Sequence, residues 1–386
     1  MRTFNFSRTQ NGSLVYNVSV KCPDAMAFAF NPCLFVFEDD RLVKASVTIL
    51  DDEVSPAKAG VPLSGDAYGG KVFIDAREVV QGLFDTSVLT DVDYSQEGRS
   101  GLGKKMRFEL AMEFADGETL EVDGTEGGGD EFTFFAVWGA LKVGGQEVYN
   151  GHRTLTWFRK FPFTFGVYAA GGGSVLLSKD GVANRFVNLA EQGVWNIPLF
   201  ESDNGDEFYL VHDCTGQFVE VTFDRTFDMT FRYSGGGTRT EKIRVNIDDS
   251  EDGIYLRWID RFGFITYHLF KKGAESRKTT AGEFIRNDWD GYDEVFGFQK
   301  GNGRRQMYSR EDTIPVCAPL VDSDMWDVLF DMVTSPFVDM FAGYDDNDVP
   351  RWVSVTAKAA TFTKENSVLQ DFVANIIMPE VPIQKQ

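Results

Sequence analysis

The sequence predicts a mainly β protein of sandwich or barrel type, with one or two short flanking helices and an inserted β-sandwich. Three observations carry this. Phe 35, Tyr 12 and Trp 7 make 14% of the chain aromatic, and aromatic side chains favour pleated surfaces. Gly 38 against Pro 12 supplies many residues able to turn. From residue 166 onward, apolar runs recur between turn signals at Gly171–Gly173, Asp180-Gly181, Asn204-Gly205, Thr215-Gly216, Gly235–Gly237 and Asp252-Gly253, the rhythm of an all-β domain.

Taken in order, residues 14–20 form a β-prone run, 27–32 end in a turn at Pro32, and 33–37 restart a strand. Residues 41–50 follow with Val43, Val47, Thr48 and Ile49. The near-continuous apolar character of these runs predicts strands covered on both faces. Residues 51–70 read as a loop rich in Asp, Gly, Pro and Ser. After a strand at 71–74, Asp75 and Glu78 have the spacing of a capping box, and Val79, Val80, Leu83 and Phe84 share one helical face. A short helix is therefore expected near 75–84.

A long loop, 86–104, leads to residues 105–114. There Met106, Phe108, Leu110 and Met112 alternate with charged neighbours, the period of a half-buried strand. Asp116-Gly117 turns this strand into a hairpin whose partner is 119–122. Trp326, Leu329, Phe330 and Val333 recur at helical spacing, with Asp322 and Asp324 at the positive end of the helix and Pro336 stopping it. Strands at 352–358 and 369–378 close the chain. The expected domains are 1–165, β-rich; 166–310, sandwich-like; and 311–386, a helix and hairpin packing back on the first.

Lys and Arg number 38 against 59 Asp and Glu, a net charge of −21. Phosphate binding draws on cationic side chains, so specific nucleic-acid recognition is not expected. The only histidines, His152, His212 and His268, leave little for a histidine-based metal site. Of the cysteines Cys22, Cys33, Cys214 and Cys317, no two form a CxxC pair; Cys22 and Cys33 can pair in principle, but reduced buried thiols are expected. The first residues lack the apolar stretch of a signal peptide, and no window is apolar enough for a transmembrane helix. No membrane partner is expected.

Chemical motifs are few. The Gly-Gly-Gly runs lack the Gly-Lys-Ser/Thr of a phosphate loop and read as hairpin tips. The turn from Asp248 to Gly253 resembles the front of a calcium loop, but Ile259 stands where the twelfth-position carboxylate belongs. A solvated turn with opportunistic Ca²⁺ binding is the reading there, and Asp345-Asp346-Asn347-Asp348 is treated alike. His212 and Cys214 share a strand face, a structural rather than catalytic pair. Trp289 and Tyr292 are the best sugar-facing aromatics. The strongest signals are two strings mixing Arg with large rings. Trp157, Phe158, Arg159, Phe161 and Phe163 stand in one, and Tyr255, Arg257 and Trp258 in the other. These residue types anchor protein interfaces. No catalytic, cofactor-binding or metal-binding residue is assigned, and no enzyme activity is expected.

Several features together resemble tail and baseplate proteins of tailed bacteriophages, of the distal-tail or hub type. They are the β-rich start with a helix after the strand at 71–74, the Gly-rich β insert, the helix around Trp326 to Val333, Ser335-Pro336-Phe337-Val338, and Pro350-Arg351-Trp352-Val353-Ser354-Val355. Tyr255-Leu256-Arg257-Trp258 and the string from Trp157 to Phe163 also look like phage virion proteins. The resemblance implies a tube-like β-barrel with a flanking helix. It also implies a structural virion protein made in the host cytoplasm, partnered by itself in a hexamer-like ring and by other tail proteins, with DNA only as passing cargo. A negative lumen agrees with the charge, because DNA slides past such a wall without sticking. The alternatives from the residues are a carbohydrate-binding or adhesin sandwich and an all-β glycoside hydrolase, which would need two carboxylates across a cleft.

Overall fold

The computed structural model describes the chain except residues 11–12, 124–129, 142–151, 170–172, 179–184, 190, 202–206, 213–217, 223–225, 235–239, 282–283, 286–290, 300–303, 306–307 and 380–386. The chain is mainly β, as its aromatics and turns predict, and two α-helices lie among the described residues.

The first stretch runs β1 (Arg2–Gln10), β2 (Ser13–Cys22), β3 (Met26–Phe28), β4 (Leu34–Glu38), β5 (Leu42–Asp51), β6 (Lys58–Ala59), β7 (Leu63–Asp66), β8 (Lys71–Asp75), α1 (Arg77–Gly82), β9 (Gly98–Arg99), β10 (Gly103–Phe114), β11 (Thr119–Val122) and β12 (Thr133–Val137). One sheet has the order β1-β2-β4-β8. The other has β3-β12-β10-β5-β6, with β11 on β10 and β7 on β5. Their inner faces meet through aromatic rings: Phe35 on Phe108 at 5.2 Å, Tyr16 on Phe114 at 4.9 Å and Phe4 on Phe132 at 5.0 Å. This is a sandwich, its core built from alternate residues of each strand.

Two expectations need correction here. The early strands are not all covered on both faces: Tyr16, Val18 and Val20 are buried, whereas Asn17 between them is exposed and Val43 on β5 faces outward. Polar residues interleaved in the apolar runs mark the solvent side. Asp75 also does not cap the helix. It ends β8, and its Oδ1 accepts from the Cys33 and Arg77 amides at 2.9 and 3.0 Å, while Ala76 is the cap residue. An Asp one position too early for the cap ties the strand end to β4 instead. The half-buried Val79 and the buried Val80, Leu83 and Phe84 still carry the helix inward.

The next stretch holds β13 (His152–Phe158), β14 (Phe163–Ala169), β15 (Gly173–Ser178), β16 (Arg185–Leu189), β17 (Gly193–Glu201), β18 (Glu207–His212), β19 (Phe218–Thr222), β20 (Thr226–Ser234) and β21 (Thr240–Asp248). They form the sheets β13-β21-β20-β15-β16 and β14-β17-β18-β19, with β9 also pairing β17. Every residue of β14 is buried, so this strand is covered on both faces.

The last stretch contains β22 (Ile254–Ile259), β23 (Ile265–Lys272), β24 (Ser276–Ala281), β25 (Phe284–Ile285), β26 (Gly291–Asp293), β27 (Gly297–Gln299), β28 (Arg304–Arg305), β29 (Tyr308–Val321), α2 (Ser323–Thr334), β30 (Val338–Tyr344), β31 (Pro350–Ala357) and β32 (Gln370–Ile377). The order β23-β22-β30-β31-β32-β29-β24 is completed by a pairing of β23 with β29. Six strands thus close on themselves, which removes their free edges. Each sends side chains into one cluster: Leu256 and Trp258, Phe270, Val316, Val338, Val355, and Phe372 with Ala374. Helix α2 adds Trp326, Leu329 and Met332 to it. The Asp322 side chain accepts from the Met325 amide at 2.8 Å and starts this helix.

Contacts group the chain into two units, Met1–Asp249 with Ile259–Thr266, and Ser250–Trp258 with Tyr267–Gln386. The sandwich sheets lie in the first and the six-stranded barrel in the second.

Candidate interaction surfaces

The string around residues 153–165 spans β13, a tight turn and β14. Period-2 geometry and the turn distribute its rings. Trp157, Phe158 and Phe163 are buried, and Trp157 lies 6.5 Å from Phe163. The Phe161 amide donates to the Phe158 carbonyl at 3.0 Å, closing the turn before Pro162. Arg159 and Phe161 are half-buried. These two are the members of the set that keep accessible surface. Arg153 stacks its guanidinium 4.2 Å from the Phe264 ring centre and donates to the Gly166 carbonyl. A Cβ at Gly166 would sit 2.2 Å from the Phe264 ring, so only glycine lets that ring approach β14.

Arg159 also answers the acidic turn. Its Nη1 lies 3.1 Å from Asp249 Oδ1, and its amide donates to the Asp248 carbonyl at 3.1 Å. The guanidinium thus supplies positive charge at the start of the turn. Residues 249–252 are exposed. Among the described residues no group of three or more His, Cys, Asp or Glu is placed to hold a metal ion. At the second acidic turn, Asp345 Oδ1 accepts from the Asn347 and Val349 amides at 2.8 and 2.9 Å and shapes the β30–β31 hairpin.

On β22, alternation separates the three candidates. Trp258 points into the barrel cluster. Tyr255 and Arg257 lie on the other face, both buried, where Tyr255 stacks on Tyr267 at 5.9 Å and meets Trp352 at 6.0 Å. Arg257 holds Asp339 through Nε at 3.0 Å and Nη2 at 2.9 Å, with side-chain exposures of 7% and 14%. The same guanidinium lies 4.3 Å from the Trp352 ring centre. A planar, permanently charged fork suits this double role, which Lys would not fill.

Asp260 was not among the sequence candidates. It is buried, and its Oδ1 accepts from the Phe262 and Phe264 amides at 2.9 Å each, while Oδ2 accepts from Thr266 Oγ1 at 3.1 Å. It folds the β22–β23 tip, which Gly263 allows by adopting φ +79°. The signal was present as Asp-x-x-Gly, a turn pattern masked by the aromatic residues around it.

Of the sugar-facing aromatics, Tyr292 is 64% exposed on β26, and Trp289 lies outside the described residues. His212 ends β18, but its side chain and Cys214 lie outside the described residues, as do the Gly runs at 127–129 and 235–237. Cys22 and Cys33 are buried free thiols. Burial, then Asp75 and Cys22, push the Cys33 thiol up to about 12. It stays protonated and unreactive at neutral pH.

Several carboxylates sit below their ordinary range. Hydrogen bonds from Lys71 and Lys21 lower Glu38, and one from Lys358 lowers Glu311. The Arg310 side chain lowers Asp312, and the Val349 and Asn347 amides lower Asp345. An unfolded chain binds protons at these groups more readily. Their contribution to stability is therefore complete above the unfolded carboxylate range, about pH 4, and is lost as pH falls through the lower folded values. Thermal melts across pH 7 to 2 should show Tm falling below about pH 4. In an Asp345→Asn, Glu311→Gln variant that acid-side fall should be shallower. An unchanged slope would contradict the assignment.

No protein-family model matches the chain, and no curated protein matches it. Among the described residues, no helix is long and apolar enough to cross a membrane.

Proposed function

We propose that this chain is a non-enzymatic structural protein of a tailed-phage virion, forming or capping a ring in the tail, baseplate or adaptor region around a DNA conduit. The observation that carries the reading is the architecture of the first stretch. Two β-sheets face each other and one short helix follows β8, which fits the helix-after-strand feature of the resemblance to distal-tail and hub proteins, although the sheets form a sandwich and not the tube-like barrel that it implies. The charge supports it. With −21 on each copy, a closed assembly presents DNA with a wall that repels phosphate and leaves the polymer free to slide. Interfaces between such acidic copies need apolar or complementary contacts to offset their repulsion.

The test is solution mass. Light scattering on the purified chain should give a discrete multiple of 43.3 kDa, with assembly strengthened by salt, which screens like charges. A 43.3 kDa species at every concentration and salt would contradict self-assembly.

Exposed Tyr292 favours a second reading, a carbohydrate-binding or adhesin module, since an accessible ring can stack on a sugar. That reading expects glycan-array signals that Tyr292→Ala removes.

A further inference from the structure

Between β31 and β32 the chain leaves the barrel wall for twelve residues, 358–369, that form neither helix nor strand. Ala357 lies opposite Ile376, six residues along β32 from Gln370, so the ends of this segment are about 20 Å apart, whereas its backbone drawn out would cover about 40 Å. The slack lets it pass over helix α2 as a strap. Phe362 is its one residue that is not exposed.

Among the described residues, two side chains hold the strap on α2. The Phe362 ring lies 5.7 Å from Phe330 of α2, edge to face, and 5.7 Å from Phe372 of β32, stacked. Trp326 completes this wall, 5.4 Å from Phe330 and 5.7 Å from Phe372. Two residues on, Lys364 Nζ lies 2.7 Å from Asp327 Oδ2 and 5.6 Å from the Trp326 ring centre. Trp326 and Phe372 belong to the buried barrel cluster, so the slot stands on the core and keeps its shape when the strap leaves. The strap's other bonds are at its foot, where the Glu365 amide donates to Gln370 Oε1 at 2.7 Å and Ser367 Oγ to the Leu369 carbonyl at 2.9 Å.

An exposed segment without a backbone ladder opens at lower free energy than the strands beneath it. Opening uncovers a slot that takes an aromatic ring, beside a carboxylate that takes a cation. The charge of the helix selects the visitor. α2 holds Asp324, Asp327 and Asp331 and no base, with Asp322 as its cap, so it draws a basic segment and repels nucleic acid or an anionic membrane. A second copy of this chain is disfavoured. Its strap would gain in a neighbour's slot only the contacts it leaves in its own, and each copy carries −21. A different protein that presents Arg in place of Lys gains more, since a guanidinium meets a carboxylate with two hydrogen bonds and stacks on aromatic faces.

We propose that the slot formed by Trp326, Phe330, Phe372 and Asp327 is a docking site for an extended segment of another protein, bearing an aromatic residue two positions before an Arg or Lys. Phe362 and Lys364 fill the slot from within the chain and hold it closed until that segment displaces them. Aromatic and Arg side chains are the types that anchor interfaces. The site does not depend on ring closure and stands or falls apart from it.

The test uses a synthetic peptide of residues 358–369 carrying Lys364→Arg, with a second peptide that also carries Phe362→Ser as control. Fluorescence anisotropy follows binding of the labelled peptide to the full chain, and circular dichroism checks that each variant folds. A Phe362→Ser, Lys364→Ser chain has its slot uncovered. It should bind the peptide about tenfold or more tightly than the unaltered chain, because the tethered strap no longer competes. Adding Asp327→Asn to that chain should remove about tenfold of the affinity. A second measurement needs no variant. Hydrogen exchange on the unaltered chain, read by mass spectrometry, should quicken at residues 359–369 when the peptide saturates, while β29 and β32 stay protected. Equal binding by the control peptide, equal binding by the two chains, or strap exchange that the peptide leaves unchanged would overturn the docking site and leave the ring reading intact. Self-association of the unaltered chain that Phe362→Ser, Lys364→Ser abolishes would make a second copy the occupant and overturn the choice of a different protein.

Discussion

Replacing Asp339 with Ala should destabilise the barrel unit by about 3–5 kcal/mol, far more than loss of an exposed ion pair, worth about 0–1 kcal/mol. The reason is what remains. Arg257 is buried and cannot lose its proton, and the substitution takes away the carboxylate that holds its Nε and Nη2. The expected result is a lower urea midpoint with an unchanged slope, since the fold and its buried surface persist. An Arg257→Met, Asp339→Leu double variant removes both charges and should regain most of the loss. If Asp339→Ala cost less than about 1 kcal/mol, water would be reaching Arg257, and the buried pair would not be structural.

Phe108→Ala should cost about 3–5 kcal/mol in the sandwich of the first unit. Phe108 is fully buried on β10, with Phe35 at 5.2 Å, Phe132 at 5.7 Å and Phe134 at 6.4 Å. Removing its ring opens a cavity between two sheets whose other rings are held by their own strands, so the space cannot collapse. The contrast is Phe73 on β8, which alternation turns outward at 67% exposure. Phe73→Ala should stay within about 0.5 kcal/mol. Equal effects at the two positions would contradict the sheet register, because a slip of one residue exchanges inner and outer faces.

The register of β10 was readable from sequence because one face is apolar and the other charged. The β10–β11 hairpin was readable for a related reason: Gly117 at φ +83° supplies the turn that Asp116-Gly117 announces. Helix α2 was legible from Trp326 and Leu329, although Met332, fully buried, completes its inner face and was not singled out. Barrel closure was not legible. It depends on β23 meeting β29 across more than forty positions of chain, a non-local pairing that local patterning does not encode. The pairings of β24 with β29 and of β26 with β27 were hidden for another reason: these residues alternate too little to read as strands, and their register emerges only from cross-strand pairs. Among the candidate residues, the sequence identified the right chemical types but not their direction. Trp157, Phe163 and Trp258 are spent inside the chain, and Arg257 is spent on Asp339. The exposed apolar side chains Val295 and Phe296 sit in a short turn without the Arg that marks an interface string.

The proposed function requires that copies of this chain close into a ring. Negative-stain microscopy of the assembled fraction, sorted into class averages, tests it most directly. Closed particles with rotational symmetry and an open centre are expected. Isolated single particles, or open chains without closure under any salt condition, would contradict it.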